Sequence, residues 1–127
     1  MTYKIGLDFH GIIDRYPEFF SWLTKILYAY GWEIHIITGN SINQEFLQQL
    51  NSYGISYTHT FSIVDYHEQI GTEVLYDERG PWIDADTWNR TKAEYCESNG
   101  IYAHIDDSDV YGQYFTNTLY LQLTNNK

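Results

Sequence analysis

Four stretches of the chain end in side chains that can hold a phosphate or a divalent cation. They are Ile5-Gly6-Leu7-Asp8-Phe9-His10-Gly11, Ile36-Ile37-Thr38-Gly39-Asn40, Lys92 inside an amphipathic run, and Ile105-Asp106-Asp107-Ser108-Asp109. A carboxylate at a strand end, the place expected for Asp8, can attack phosphorus to form an acyl phosphate and can also ligate a divalent ion. The plainer alternative is an Asp that closes a turn. Two adjacent carboxylates, Asp106 and Asp107, beside a third repel strongly without a cation. The alternative for them is helix capping by Asp107, Ser108 or Asp109. Lys92 is one of only 7 basic residues; Arg90 competes with it, and a lysine on an amphipathic helix is ordinarily solvated. Thr38, with Asn40 and Ser41 at the next helix start, offers a hydroxyl and amides to an anion. His10 can give and take a proton near neutral pH, or can simply pack at its turn.

These groups converge only if the elements before them form one sheet. Residues 3 to 8 read as a buried strand entering a tight turn at Gly11. From Pro17, apolar residues at Phe19, Phe20, Leu23, Ile26, Leu27 and Tyr30 follow a helical spacing that Gly31 ends. A second strand is expected from Trp32 to Ile37. A helix capped by Ser41 follows, with Ile42, Phe46, Leu47 and Leu50 on its apolar face and Gly54 at its end. Ile55 to Ile63 reads as a third strand, Asp65 to Ile70 as a short helix, and Glu73 to Ile83 as a small hairpin. Asp84 or Asp86 caps the helix that carries Trp88, Lys92, Tyr95 and Cys96 and stops at Asn99-Gly100. Ile101 to Ile105 is a fourth strand, Tyr111 to Phe115 one or two turns, and Leu119 to Leu123 a last strand. Alternating strands and helices predict an α/β fold of the three-layer, Rossmann-like kind, with a mainly parallel sheet and helices on both faces. Ligands of such sheets bind outside the carboxyl ends of the strands, where Asp8, Thr38 and Asp106-Asp107 would stand.

Composition narrows the classes. With 127 residues, 43% apolar and 19% charged, the chain reads as a single globular domain over 1–127. A net charge of −10, from 17 acidic and 7 basic side chains, argues against a duplex nucleic-acid partner, which calls for a basic patch. A lone cysteine, Cys96, permits no internal disulfide and no cysteine metal cage, and fits a cytoplasmic setting. No run approaches the roughly 18 apolar residues of a membrane span, so no membrane partner is expected. His35 and His104 fall inside strands and read as packed residues; His59 and His67 flank the exit of the third strand, where they can face the site.

The order Asp8, Thr38, Lys92, Asp106-Asp107 resembles the motif order of the haloacid dehalogenase-like (HAD) hydrolase superfamily, over nearly the whole chain from Ile5 to about Phe115. The resemblance implies a Mg²⁺-dependent phosphohydrolase, a phosphomonoesterase with Asp8 as nucleophile and an aspartyl-phosphate intermediate. It further implies Thr38 and Lys92 as phosphate-holding groups, and a Mg²⁺ shell from Asp8, the His10 backbone carbonyl, Asp106 and Asp107. In that shell Asp107 is the direct ligand, with Asp106 or Asp109 in support. The paired form Asp106-Asp107 is the variant seen in nucleotidases of the superfamily. His10 departs from the pattern, because the superfamily's phosphatases place there the Asp that serves as general acid and base. An imidazole can do both jobs; the alternative is a weak or inactive HAD-like binding protein. A receiver-type phosphoacceptor ranks last, because its acidic pair would follow the first strand. The space before Lys92 where larger members insert a cap holds only the short third strand and the Glu73 to Ile83 hairpin, so the resemblance implies a capless or minimally capped core. Its substrate would be a phosphorylated macromolecule, or a phosphorylated small molecule over which Trp82, Trp88 and nearby tyrosines fold.

Overall fold

A computed structural model describes residues 2–124. Five parallel strands, β1 (Lys4–Leu7), β2 (Glu33–Thr38), β3 (His59–Ser62), β6 (Ala103–Asp106) and β7 (Leu119–Gln122), form one sheet in the order β3-β2-β1-β6-β7. The hairpin lies at β4 (Leu75–Asp77) and β5 (Gly80–Trp82), joined as an antiparallel pair. The helices are α1 (Pro17–Ala29), α2 (Gln44–Ser52), α3 (Ile63–Gln69) and α4 (Ala85–Asn99).

Alternation along the strands explains the three layers. Leu7, Ile34 and Ile36 join Phe20 of α1 and Phe46 and Leu50 of α2 in one apolar cluster. Ile37, from the opposite pleat of β2, packs instead with Cys96 of α4, Ile101 and Phe61. Successive side chains of a strand point to opposite faces, and both faces here are covered. Strand β1 lies in the middle, paired with β2 on one side and β6 on the other. The chain therefore reverses its direction of winding between these neighbours, and the crevice at their carboxyl ends is where a ligand site is expected. No helix among the described residues is long and apolar enough to cross a membrane.

Three expectations are corrected in detail. The third strand is shorter than Ile55 to Ile63. Ile55 closes onto the Leu50 carbonyl, and the Thr58 hydroxyl, rather than a strand backbone, accepts from the Ile34 amide at 2.8 Å. Ile63 already belongs to α3, because the Ser62 hydroxyl accepts from Asp65 N and starts the helix two residues before Asp65. The cap of α2 is Asn43, whose side chain accepts from Phe46 N, and not Ser41. Ser41 donates instead to Asp65, which also takes the Ile42 amide and ties the loop after β2 to α3. The cap of α4 is Asp84, as one of the two expected residues, accepting from Thr87 N.

Candidate active site

Asp8 follows the last residue of β1, and its amide donates to the Ile105 carbonyl, so the backbone pins it beside the end of β6. There it meets Lys92, from the middle of α4. The ammonium donates to Asp8 Oδ1 at 2.9 Å and to Asp106 Oδ2 at 2.8 Å, with all three side chains buried. Charges taken this far out of water must be paired and hydrogen-bonded, which accounts for the geometry.

Asp106 is the better-supplied partner. Its Oδ2 also accepts from His104 Nε2 at 2.9 Å, and its Oδ1 from the amides of Asp107 and Ser108. Burial works against its charge, but the His104 hydrogen bond and the Lys92 charge outweigh burial and hold the carboxyl well below the usual range. Asp8 has fewer donors. Burial pushes it up to about 7 against the pull of Lys92, with Asp106 and Asp107 adding repulsion. Burial likewise opposes the Lys92 charge, yet the two carboxylates more than offset it and keep the ammonium above its ordinary value. The negative charge of the triad thus rests on Asp106, and Asp8 is the group whose charge is sensitive to its surroundings.

Asp107 turns outward from the end of β6 toward the turn after Asp8. Gly11 has φ +81°, and a Cβ there would lie 2.0 Å from Asp107 Oδ2, so only glycine leaves room for this carboxylate. One oxygen each from Asp8, Asp106 and Asp107 lie within 4.8 Å of one another. Neighbouring vertices of an octahedron with arms of about 2.1 Å stand ~3.0 Å apart and opposite ones ~4.2 Å. Three hard oxygen donors at that scale, one of them lacking a full set of hydrogen bonds, fit Mg²⁺ better than a softer ion. Asp109 is exposed and is not in this cluster.

His10 has an extended backbone at φ −73°, ψ 129°, and its ring is oriented on both sides. Nδ1–H donates to Asp14 Oδ2 at 3.1 Å, and Nε2 accepts from the Asn40 side-chain amide at 2.6 Å. Asp14 also takes the Gly11 amide at 2.7 Å. Thr38 is fully buried at the end of β2, its hydroxyl accepting from Asn40 N at 3.3 Å. The loop Thr38-Gly39-Asn40 thus stands against His10. The Trp88 indole packs on Gly39 and donates to the Tyr111 hydroxyl at 3.0 Å, while the Tyr111 ring lies 5.1 Å from Lys92 Nζ. The fold therefore brings Asp8, Lys92, Asp106 and Asp107 together and sets Thr38 and His10 beside them. Arg90, the competitor of Lys92, pairs with Asp86 and Glu94 on α4 itself.

Asp14 and Asn40 were not singled out for His10, although the i, i+4 spacing from His10 to Asp14 was available. The expectation that His59 and His67 flank the exit of β3 is corrected. His59 is the first residue of β3, in register with His35 and Gly6 and set back from the carboxyl edge, and His67 is buried between Thr72 and Thr91. His35 and His104 are both buried in the sheet. Cys96 is a buried free thiol that burial pushes up to about 12, an unreactive group. No protein-family model, curated protein or solved structure matches this chain.

Proposed function

We propose that the chain is a divalent-cation-dependent phosphohydrolase acting on phosphate monoesters through Asp8. The observation that carries the reading is the buried Lys92 ammonium held between Asp8 and Asp106 at the carboxyl edge of β1 and β6, with Asp107 alongside. A structural ion pair needs one carboxylate per ammonium; three carboxylates around one lysine leave room for a further cation.

The chemistry follows from the named groups. An oxygen of ionised Asp8 attacks phosphorus, the bond from phosphorus to the ester oxygen breaks, and His10 gives that oxygen a proton. Water, losing its proton to His10, then attacks phosphorus and breaks the bond to Asp8, releasing inorganic phosphate and restoring the carboxylate. Asp14 orients the ring through Nδ1–H, and Nε2 does both transfers once Asn40 yields: His10 enters as the imidazolium, gives its Nε2 proton to the leaving oxygen, and regains one from the water. Lys92 and the hydroxyl of Thr38 hold phosphate oxygens. Mg²⁺ would be held by Asp8 and Asp107, with Asp106, whose oxygens already take four donors, in support, and would supply positive charge against the phosphate and the carboxylates.

The test is phosphate release from a panel of nucleoside and sugar monophosphates, with Mg²⁺ or with EDTA, in the wild-type chain and in Asp8→Asn. Turnover that needs Mg²⁺ and vanishes in Asp8→Asn is expected; no such turnover on any substrate refutes the hydrolase reading. His10→Asp separates the binding-protein alternative, which predicts activity only in that variant.

A further inference from the structure

The sheet carries a second constellation of metal-ligating side chains at its other end. Strand β2 runs from Glu33 to Thr38, so Glu33 stands about 16 Å along the strand from the Thr38 loop. Glu33 and His35 share one pleat of β2, and the β2–β3 register sets His35 beside His59. From these placements we infer that Glu33, His35 and His59 form a binding site for one transition-metal ion of the zinc class, separate from the acidic cluster at Asp8.

Distances, donor types and the surrounding hydrogen bonds support it independently. Glu33 Oε1 lies 3.0 Å from His35 Nε2 and 4.0 Å from His59 Nδ1, and one donor atom from each of the three lie within 4.8 Å of one another. Donors around a tetrahedral zinc with arms of about 2.1 Å stand ~3.4 Å apart, inside the range these distances span. Two imidazoles and a carboxylate are the donor set of a three-ligand zinc site with an open fourth position, whereas the all-carboxylate set at Asp8 favours a hard ion.

The buried member is oriented from behind. His35 is inside the sheet, and its Nδ1 meets the Tyr95 hydroxyl at 2.6 Å. A ligating histidine is ordinarily fixed through its second nitrogen in this way, and a tyrosine hydroxyl can accept from Nδ1–H as readily as donate to Nδ1. Binding an ion through Nε2 would move the His35 proton from Nε2, where it now meets Glu33 Oε1 at 3.0 Å, to Nδ1, facing the Tyr95 hydroxyl. The other two members face solvent: side-chain exposure is 32% for Glu33 and 48% for His59, which gives an ion an entry path.

Two features set the cost of loading. The His35 and His59 rings now stack face to face, 4.2 Å apart at 4°, so the exposed His59 ring must turn and give up its contact with the Thr58 hydroxyl to aim a nitrogen at the ion. Lys4 stands 3.7 Å from Glu33 Oε1 and also donates to the Asn99 carbonyl at 2.9 Å, which keeps it placed when Glu33 changes partner.

The experiment is titration of the tag-free chain at pH 7.5 with ZnCl₂ against a chromophoric chelator, in excess Mg²⁺, and with CoCl₂ followed by visible absorption. One equivalent of Zn²⁺ and the visible bands of low-coordinate Co²⁺ are expected. His59→Ala and Glu33→Gln, both at exposed positions, should weaken Zn²⁺ binding at least about 10-fold. Tyr95→Phe, which keeps the ring and loses only the hydroxyl behind His35, should weaken it about 10-fold. Asp8→Asn should leave it unchanged. Absence of stoichiometric binding, equal affinity in His59→Ala, or loss in Asp8→Asn each overturns the inference. None of these outcomes depends on phosphatase activity.

Discussion

Replacing Lys92 by methionine removes the one cation between two buried carboxylates while keeping most of the apolar stem that threads the core. The ammonium donates to Asp8 at 2.9 Å and to Asp106 at 2.8 Å, and all three side chains are almost inaccessible. Removing one partner of a buried pair costs about 3–5 kcal/mol, because the remaining charge is stranded. That is a large share of the roughly 5–15 kcal/mol that holds a domain together. Asp106 keeps its three other donors, so the burden falls on Asp8. Asp8 is already raised to about 7 with Lys92 present, and it rises further without it. The sign then follows. A carboxyl whose folded value is raised contributes stability that is complete below its unfolded value of 3.8 and is lost as pH climbs through the folded value. The cost of Lys92→Met should therefore be smaller at pH 5.5 than at pH 8, growing by up to about 1.4 kcal/mol per pH unit. Urea unfolding followed by circular dichroism at the two pH values measures both quantities. Adding Asp8→Asn should recover part of the loss, since the two sites share one interaction. A loss under ~1 kcal/mol, or one that does not change with pH, would refute the account of a single ammonium neutralising the site.

Gly11→Ala tests the packing of Asp107 against the turn. A side chain at φ +81° is strained by about 1–2 kcal/mol, and its Cβ would lie 2.0 Å from Asp107 Oδ2, so the carboxylate must swing away. Lower stability and a smaller Mg²⁺-induced rise in melting temperature are expected; an unchanged Mg²⁺ response means that Asp107 has no part in holding the ion. Burial lowers His35 and His104 below the ordinary histidine value of 6.5, so their contribution is complete above pH 6.5 and is lost as pH falls below it. In Asp8→Asn, where the opposing carboxyl is gone, the unfolding free energy from urea titration should fall from pH 7.5 to 5.5, by up to about 1.4 kcal/mol per histidine for each unit below 6.5. A flat profile in that variant would show that the two rings gain protons inside the fold.

Strand ends were readable because they depend on local pattern. The short apolar runs before Asp8, Thr38 and Asp106 read as buried strands in a chain that alternates with amphipathic helices, and the parallel order then placed their last residues on one edge. Lys92 came from the motif order of the resemblance, since a lysine on an amphipathic helix is by itself ordinarily solvated. Other features depend on partners far away in the chain. Asn43 rather than Ser41 caps α2 because Asp65, 24 residues away from Ser41, takes the Ser41 hydroxyl. The late start of β3 rests on Thr58 bonding through its side chain to Ile34 in a neighbouring strand. His59 opens β3, four residues after the expected start at Ile55, and so stands at the entry of the strand and not at its exit. The tuning of Asp106 by His104 comes from alternation within one strand, a spacing of two that was present but could not be told from ordinary packing.

The central position of β1 bears on how the molecule matures. Asp8 and Lys92 are 84 residues apart, and β1 gains β6 as a neighbour only after the hairpin and α4 have been made. Such remote contacts slow folding, since the entropy of closing a long loop is spent before the contacts that reward it exist. The nascent N-terminal half holds β1, β2 and β3 while Asp8 still lacks its counter-charge, Lys92. Arrival of the second half brings Lys92 to Asp8 and seals the sheet in one event, so that under the phosphohydrolase proposal turnover would double as a readout of finished folding.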